Sequence, residues 1–519
     1  MRPAATAKPS LPGWLQPLLR PALALGAGAL APLSFSPVDL WLCGLISVAL
    51  CYGLLQDRTP REAARLGWCY GLGWFGVGTS WIYVSISVYG NAAPPLAFVI
   101  TALFVAIMAS YFALFGCVWR RVASQRWPLP GFAACWVLAE WLRGWLFTGF
   151  PWLQLGSAHV TSVFSGLAPL FGVLGLSFVL ALLGAGMAEL LLRLQRARSL
   201  LPLVRSPLAG VLLLLWLGAW YSNRLIWVHP ATDVPVTVGL VQGNIPQGMK
   251  FDSAYLQDII DTYDILSAPL WQNDFVLWPE TALPVVQQDA GHILDYFAAQ
   301  AGDHDGTLVT GVFARDTDGS MHNSITVLGS GSGTWHKQKL VPFGEYVPLR
   351  SVLSSLLQLF ALPMSSLSPG PAEQPLLNVA GHRVAAFICY EVVYPDFVRR
   401  HGGDADFLLT ISNDTWFGTS WGPPQHLQIA ALRARELGRY MVRATNDGIS
   451  ALIDERGRVV QRTGQFSKDI LQGEIRLFEG KTPFARWGSV PVLLLAALLL
   501  LQNLLPLRQR HTSHDTDLT

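Results

Sequence analysis

The sequence predicts a helical membrane domain with a layered α/β domain inserted before its last helix. Hydrophobic residues make up 51% of the 519 residues and charged residues only 13%, about half the charged share of a typical soluble protein. The chain has no Asp, Glu, Lys or Arg between Leu66 and Trp119 or between Gly144 and Ala188. From about Pro235 the pattern changes to short apolar runs that alternate with helical patterns, which predicts the α/β domain.

Eight segments are interpreted as membrane crossings, because a crossing needs roughly 20 apolar residues. Seven of them precede residue 225, and one follows the α/β domain. The first two are short and contain Pro32 and Pro37, so their limits are the least defined. The expected bounds are 22–38, 40–56, 66–87, 94–118, 130–149, 162–188, 206–222 and 488–506.

Basic residues alternate between the loops that join these segments. They precede the first crossing and follow the second, fourth, sixth and eighth, whereas loops such as 87–93 and 150–162 have none. The positive-inside rule therefore places both termini in the cytoplasm and the α/β domain outside it. The predicted domains are a membrane domain (1–224), an extracytoplasmic α/β domain (225–486), a C-terminal membrane helix (487–507) and a cytoplasmic tail (508–519).

The inserted segment is long enough for one α/β domain with a full core. Its β-rich runs alternate with helix candidates, which is the pattern of a layered domain. The predicted strands are 236–241, 275–278, 308–313, 324–328, 384–388, 407–411, 441–444 and 451–453. The predicted helices are 253–267, 292–301 and 425–437.

The cysteines give the first chemical clue. Five of the six lie in or beside predicted membrane helices, and Cys389 alone lies in the α/β domain. Outside the cytoplasm thiols are usually oxidised to disulfides, yet Cys389 has no partner within its own domain. Such a thiol is either a buried, inert core residue or a protected reactive group, and the cysteine count leaves both possibilities open.

Three segments place chemically active side chains near strand ends. Glu280 and Cys389 each follow an apolar run, and Lys337 comes before a compact turn that ends at Glu345. Each residue alone has an ordinary explanation as a loop acid, a surface charge or a small core residue. Together they meet one chemical need, because a carboxylate can take the proton of a thiol whose reference pKa is about 8.5. An ammonium group can then stabilise the oxyanion that forms at an acyl carbonyl.

These segments resemble the Glu-Lys-Cys signature of the nitrilase superfamily. The fuller strings WPET, KLVPFGEYVP, ICYE and SNDTWFG, with GNIPQ at 243–247, are similar to those of the apolipoprotein N-acyltransferase family, and the resemblance covers nearly the whole chain. It implies an α/β nitrilase-like αββα sandwich inserted between the seventh and eighth of about eight transmembrane helices. One departure is visible, because Lys250 is followed by Phe251 where the family often has Trp.

The resemblance also implies the catalytic roles. Glu280 would be the general base and Cys389 the nucleophile, and Lys337 would stabilise the tetrahedral intermediates. Glu345 would hold Lys337 or assist proton transfer.

Three further supporting residues follow from the same resemblance. Tyr390 and Glu391 would shape the site beside the nucleophile, and Trp278 would line the approach to Glu280. No metal or organic cofactor is implied.

The implied reaction joins two lipid substrates. A cysteine thioester would carry the sn-1 acyl group of a phospholipid such as phosphatidylethanolamine. The N-terminal amine of an S-diacylglyceryl-cysteine apolipoprotein would accept it, in the last step of bacterial lipoprotein maturation. The implied location is the bacterial inner membrane with the catalytic domain in the periplasm. We expect a monomer and, from a net charge of only +2, no nucleic-acid partner.

Two other functions are compatible with parts of the sequence. A nitrilase-like amidase or hydrolase would pass the same thioester to water, although eight helices exceed what anchoring requires. A transporter with a structural external domain is the second alternative, but the predicted helices have few charges and no obvious half-matched repeats.

Two smaller features complete the expectations. The charge-free segment Ser351–Pro369 is expected to be an arm that touches the outer leaflet, with a buried helix as the alternative. Glu140 and Arg143 lie three residues apart on an apolar helix, where an internal ion pair that fixes helix packing is favoured over a substrate role.

Overall fold

A helical region and an α/β domain make up the chain. The computed structural model describes residues 16–123, 127–198, 206–346 and 366–504. Most of the segment expected to form an arm, residues 351–365, lies outside the described residues.

Among the described residues, eight α-helices precede the α/β domain and one long helix follows it. The first helices are α1 Gln16–Leu30, α2 Leu42–Leu55, α3 Pro60–Gly78, α4 Trp81–Val84, α5 Pro94–Val118, α6 Pro128–Arg143, α7 Ala168–Ala197 and α8 Pro207–Ser222. Those of the α/β domain and C-terminus are α9 Gln247–Lys250, α10 Leu256–Ser267, α11 Gly291–Gly302, α12 Pro395–Gly402, α13 Gly422–Leu437, α14 Pro483–Trp487 and α15 Val490–Leu504.

The helical region presents rows of apolar side chains on its surface. Phe98, Val99 and Leu103 of α5 are more than half exposed, as are Leu214 of α8 and Leu498 of α15. Water would make such rows unfavourable, whereas they are typical of a lipid-facing surface. Within the described residues, two helical stretches, 94–122 and 165–197, are long and apolar enough to cross a bilayer, and three shorter helices are strongly apolar.

The α/β domain contains two six-stranded sheets. The first sheet has the order β13-β2-β3-β4-β5-β6, and the second has the order β12-β11-β10-β9-β8-β7. A two-stranded pair, β1 with β14, lies apart from them. The strands are β1 His229–Pro230, β2 Val236–Gln242, β3 Phe275–Leu277, β4 Thr307–Arg315, β5 Met321–Gly329, β6 Thr334–His336, β7 Leu377–Val379, β8 His382–Ile388, β9 Phe407–Ser412, β10 Met441–Thr445, β11 Ala451–Ile453, β12 Val459–Arg462, β13 Asp469–Ile475 and β14 Phe478–Glu479.

The two sheets pack face to face with helices on their outer sides. Phe275 of the first sheet stacks on Phe407 of the second, with ring centroids 5.5 Å apart. The strands alternate, so Val276 points to the other side, where it joins Ile259 of α10 and Phe297 of α11 in a separate cluster. This is the αββα arrangement that the resemblance implies.

The second sheet is continuous with the helical region. One hydrophobic cluster contains Trp136 of α6, Leu176 of α7, Leu432 of α13 and Ile411 of β9. At the contact, Trp152 donates a 2.7 Å hydrogen bond to the side chain of Gln425. The sheet that leads to Cys389 is therefore fixed to the helical region by shared packing.

The two charges expected to pair inside α6 bind backbone groups instead. Glu140 accepts hydrogen bonds from the Trp136 indole and from the backbone N–H of Leu155. The Arg143 guanidinium donates to the carbonyls of Phe150 and Trp152. The expectation of a direct ion pair is wrong, because a loop with unpaired backbone groups lies closer to each charge than the other charge does. Both nevertheless fix packing.

Candidate active site

Glu280 lies in a tight turn beyond β3. The turn crosses β4 at Gly311, where a Cβ atom would lie 2.4 Å from the backbone nitrogen of Thr281. Only glycine allows this close approach. Thr281 itself has a φ of +49°, so the backbone turns sharply after Glu280. This turn directs the carboxylate along the sheet edge where β3 ends.

The Glu280 carboxylate is buried and accepts hydrogen bonds from three sides. Oε1 accepts from Nζ of Lys337 at 3.1 Å and from Nδ2 of Asn323 at 2.7 Å. Oε2 accepts from the backbone N–H of Asn413 at 2.8 Å. Donors on both oxygens therefore fix the orientation of this carboxylate.

Lys337 lies between two carboxylates. Its Nζ donates to Glu280 and, at 2.9 Å, to Oε1 of Glu345. Burial alone would lower the pKa of Lys337, but the two carboxylates raise it well above its ordinary value. The group is therefore a permanent ammonium, and one of its three hydrogens is left for a further acceptor.

Glu345 is held by the turn that the sequence predicted. Its Oε2 accepts from the backbone N–H of Val341 at 2.8 Å, and its Oε1 accepts from both Lys337 and Asn323. Phe343 in this turn has a φ of +63°. Glu345 thus contacts Lys337 directly, as the expectation of a holding role requires.

Cys389 follows β8, where the strand runs parallel to β9 with Ile388 beside Ile411. Cys389 has a φ of +51°, an uncommon conformation for a residue other than glycine that costs about 1–3 kcal/mol. Its side chain is half-buried and lies beside the Ser412 hydroxyl. Burial and the nearby Glu280 carboxylate raise the pKa of the Cys389 thiol, and Lys337 opposes them. The resting group is therefore a thiol that needs a base.

Glu391 connects the two sheets beside Cys389. Its Oε1 accepts from the backbone N–H groups of Gln338 and Lys339, which follow β6 of the first sheet. Its Oε2 accepts from the indole of Trp335 in β6 and from the backbone N–H of Ile388, which lies in β8 of the second sheet. This carboxylate fixes the Lys337 segment relative to Cys389, so it shapes the site without facing it.

Tyr390 contacts the helical region. Its hydroxyl donates to the carbonyl of Gly149 at 3.1 Å, and Tyr394 donates to the same carbonyl and to that of Thr148. Tyr390, which is next to Cys389 in the chain, is thus anchored to the loop that follows α6.

Trp278 does not lie where the sequence suggested. Its fully buried indole donates to the Ser267 hydroxyl at 2.8 Å and packs against Tyr263 and Phe297, behind the first sheet. The expectation that it lines the approach to Glu280 is wrong. Successive residues of an extended chain point to opposite sides, and this side chain points to the outer helices.

Several residues of the site were not predicted. Asn323 donates to both Glu280 and Glu345, and the backbone of Asn413 donates to Glu280. Lys250 is buried and donates to the backbone carbonyl of Glu280 at 2.8 Å, and burial lowers its pKa to about 8. Asn413 lies in the SNDTWFG string, which contributed to the family resemblance although no role was assigned to its residues. Asn323 in a strand offered no signal that distinguishes it from other polar strand residues.

The assembled groups can perform acyl transfer. Carboxyl ends of β3, β8 and β9 meet at one edge of the sandwich, which brings a thiol, a carboxylate and an ammonium group together. The carboxylate can accept the thiol proton, and the free Nζ hydrogen can bind an oxyanion.

Comparison with known proteins identifies the family of this chain. The family described as "Apolipoprotein N-acyltransferase N-terminal domain" matches residues 27–186, and "Carbon-nitrogen hydrolase" matches residues 237–480. An apolipoprotein N-acyltransferase of Pseudomonas syringae pv. tomato is 45% identical over 498 residues, which cover 94% of this chain and 96% of the relative. The chain belongs to the apolipoprotein N-acyltransferase family.

Other members of the apolipoprotein N-acyltransferase family are also similar over their full length. The Coxiella burnetii relative is 36% identical over 488 residues, covering 93% of this chain and 99% of the relative. Among solved structures, an amidase from Nesterenkonia sp. is 14% identical with a TM-score of 0.37, covering 51% of this chain and 97% of that one. A carbon-nitrogen hydrolase from Helicobacter pylori G27 is 15% identical with a TM-score of 0.37, covering 46% and 89%.

Proposed function

We propose that this chain transfers the sn-1 acyl group of a phospholipid to the N-terminal amine of an S-diacylglyceryl-cysteine apolipoprotein. The observation that carries the proposal is the position of Lys337, which is held between Glu280 and Glu345 beside the end of the Cys389 strand. Membership of the apolipoprotein N-acyltransferase family supplies the substrate class.

The first half-reaction forms a thioester. Glu280 takes the proton of the Cys389 thiol as sulfur attacks the ester carbonyl, and Lys337 stabilises the oxyanion. When the carbonyl re-forms, the ester C–O bond breaks and Glu280 returns the proton to the departing lysophospholipid oxygen. The acyl group remains on sulfur.

The second half-reaction transfers the acyl group to nitrogen. The neutral amine of the acceptor attacks the thioester carbonyl, and Lys337 again stabilises the oxyanion. A C–N bond forms, the C–S bond breaks, and the amine proton returns through Glu280 to the Cys389 sulfur. An amide and the free thiol result, with Glu345 holding Lys337 in both steps.

The helical region supplies access from the bilayer in this proposal. The exposed apolar rows of α5, α8 and α15 support a multi-pass arrangement of about eight crossings. The arginine distribution supports cytoplasmic termini and a periplasmic catalytic domain. We propose phosphatidylethanolamine as the donor. We also propose a monomer as the working unit, because the helical region and the catalytic domain come from one chain.

Mass spectrometry of the purified protein tests the proposal. After incubation with phosphatidylethanolamine, we expect an acyl adduct on the peptide that contains Cys389, and a diacylglyceryl lipopeptide should remove it with formation of an N-acyl product. Cys389→Ala should abolish the adduct. Cys69→Ala is the matched control, because Cys69 is a half-buried thiol in helix α3, and it should leave the adduct unchanged.

Two results would contradict the proposal. Hydrolysis of small amides without acyl transfer to the lipopeptide would favour the amidase alternative. Full complementation by Cys389→Ala in cells depleted of the native protein would favour a transport role.

A further inference from the structure

A buried charged group lies beneath the nucleophile, and the proposed chemistry does not use it. His426 of α13, Asp414 and Arg443 of β10 are each almost completely inaccessible to solvent. Burying charges is unfavourable unless they are paired, and a packed apolar side chain would often be as stable. The presence of a charged pair and an imidazole buried together at this position calls for a role.

The contacts of His426 reach the nucleophile directly. Its Nε2 lies 3.1 Å from the backbone carbonyl oxygen of Cys389. Its Nδ1 lies 3.0 Å from Oδ1 of Asp414 and 3.1 Å from Nη2 of Arg443. The imidazole ring also packs against Trp152 of the helical region, with ring centroids 5.6 Å apart.

These contacts define which nitrogen of His426 carries the proton. A carbonyl oxygen only accepts hydrogen bonds, so Nε2 must be protonated to bind Cys389. Burial, and then the Arg443 charge, lower the pKa of His426, and the Asp414 carboxylate opposes them. Nδ1 faces both Asp414 and Arg443, whose Nη2 also donates to Oδ2 of Asp414 at 2.7 Å.

Asp414 contacts the sulfur side of the nucleophile as well. The Ser412 hydroxyl, which lies beside the Cys389 thiol, donates to Oδ1 of Asp414 at 2.6 Å, so this carboxylate fixes the position of the hydroxyl. Space for this carboxylate is provided by Gly448, where a Cβ atom would lie 2.5 Å from Oδ2 of Asp414. Ser412 and His426 therefore hold Cys389 from both ends.

We propose that His426 is a positioning residue that holds the backbone carbonyl of Cys389 and so keeps the nucleophile in its left-handed conformation. This inference rests on the proposed role of Cys389 as the nucleophile. A residue at a φ of +51° relaxes unless its neighbours hold it, and rotation of this peptide would move the sulfur away from Glu280. A misplacement of about 1 Å can lower a rate roughly a hundredfold.

A pair of amide substitutions tests the role of His426. In His426→Gln the amide nitrogen can occupy the place of Nε2 and donate to the Cys389 carbonyl, whereas the shorter His426→Asn side chain cannot reach it. Both variants are polar and neutral, so their effects on folding are comparable. We expect acyl-adduct formation on the Cys389 peptide to be within about fivefold of wild type in His426→Gln and roughly a hundredfold slower in His426→Asn.

The alkylation rate of the same peptide by iodoacetamide gives a second measurement that does not require lipid. A misplaced sulfur should change this rate in His426→Asn and not in His426→Gln. Equal rates in the two variants, in either assay, would overturn the inference and leave a structural role. Failure of the wild-type protein to form any adduct would instead overturn the proposed function, so the two failures are distinguishable.

Discussion

The two sheets of the α/β domain differ in what lies behind them. Glu280 and Lys337 come after strands β3 and β6 of the first sheet. Behind this sheet, α10 and α11 form a separate hydrophobic cluster. Cys389 follows strand β8 of the second sheet. The hydrophobic core of this sheet is continuous with the helices of the N-terminal region. Glu280 and Lys337 are therefore carried by the sheet whose outer side packs on a separate cluster, whereas Cys389 is carried by the sheet attached to the helical region. The facing sides of the two sheets share one core.

This difference indicates how the site is aligned. The position of the sulfur relative to the bilayer is set by contacts such as Tyr390 with Gly149 and Trp152 with Gln425. The position of the base and ammonium relative to the sulfur is set by contacts between the sheets. Glu391 and the backbone of Asn413 supply those contacts.

The largest effect on the reaction rate is expected from breaking the connection between the sheets. In Glu391→Gln an amide nitrogen replaces one acceptor oxygen and leaves two buried donors unpaired, at about 1–3 kcal/mol each. We expect a stability loss of about 3 kcal/mol and roughly a hundredfold slower thioester formation, measured by thermal unfolding and by the adduct assay. Glu474→Gln on the exposed face of β13 is the control, and equal behaviour of both variants would contradict the connecting role.

A second prediction concerns the independence of the outer layer. Trp278→Ala should lower stability by about 3–5 kcal/mol, because it removes a fully buried indole that packs on Tyr263 and Phe297. Hydrogen exchange should increase in β3, α10 and α11 and remain unchanged in α6 and α7. Increased exchange in those two membrane-domain helices would show that the layers are not separate.

A smaller effect is expected where the second sheet meets the helical region. Tyr390→Phe removes one hydrogen bond to Gly149, while Tyr394 keeps its own to the same carbonyl. The loss should be about 1 kcal/mol, or roughly a fivefold lower rate of acyl-adduct formation. Tyr296→Phe, at an exposed site on α11, should have no effect. An unchanged rate in Tyr390→Phe would mean that this contact does not align the nucleophile.

The smallest expected effect is the pH dependence of stability that Asp447 causes. Burial raises the pKa of Asp447 from 3.8 to about 6, opposed by the Thr415 hydroxyl that donates to it. Because the folded pKa is the higher one, folding takes up a proton between these pH values, and the stability present at low pH is lost as pH rises through about 6. Asp447→Asn should reduce the fall of Tm between pH 4 and pH 6. An unaltered slope would place the titrating group elsewhere.

Much of the α/β fold could be predicted from apolar periodicity. All eight predicted strands exist, and 451–453 has the predicted bounds. Two of the strands that were missed have polar or exposed residues along most of their length: Val459–Arg462 and Asp469–Ile475. The predicted crossing 66–87 is divided in the structure into α3, α4 and a π-helical turn at Ser85–Tyr89, because hydropathy does not mark where a helix changes its winding.

The site was predictable where a residue type is unusual for its position. Cys389, as the single thiol of its domain, and Lys337, beside an acid-bearing turn, carried such signals. Asn323 and His426 act through hydrogen bonds that depend on sheet register and helix packing. Neither quantity can be derived from one sequence. Trp278 was predicted wrongly for a different reason. It is close to Glu280 in the chain, but its side chain points to the other side of the sheet.

The shared core has a practical consequence for work with this enzyme. Residues 225–486 form a continuous stretch of chain, yet Leu432 and Phe417 pack in a cluster that contains Trp152 and Trp136. A fragment with only residues 225–486 would leave that side uncovered, and we expect it to precipitate without detergent. Inhibitor screening therefore calls for the intact polypeptide in a lipid environment.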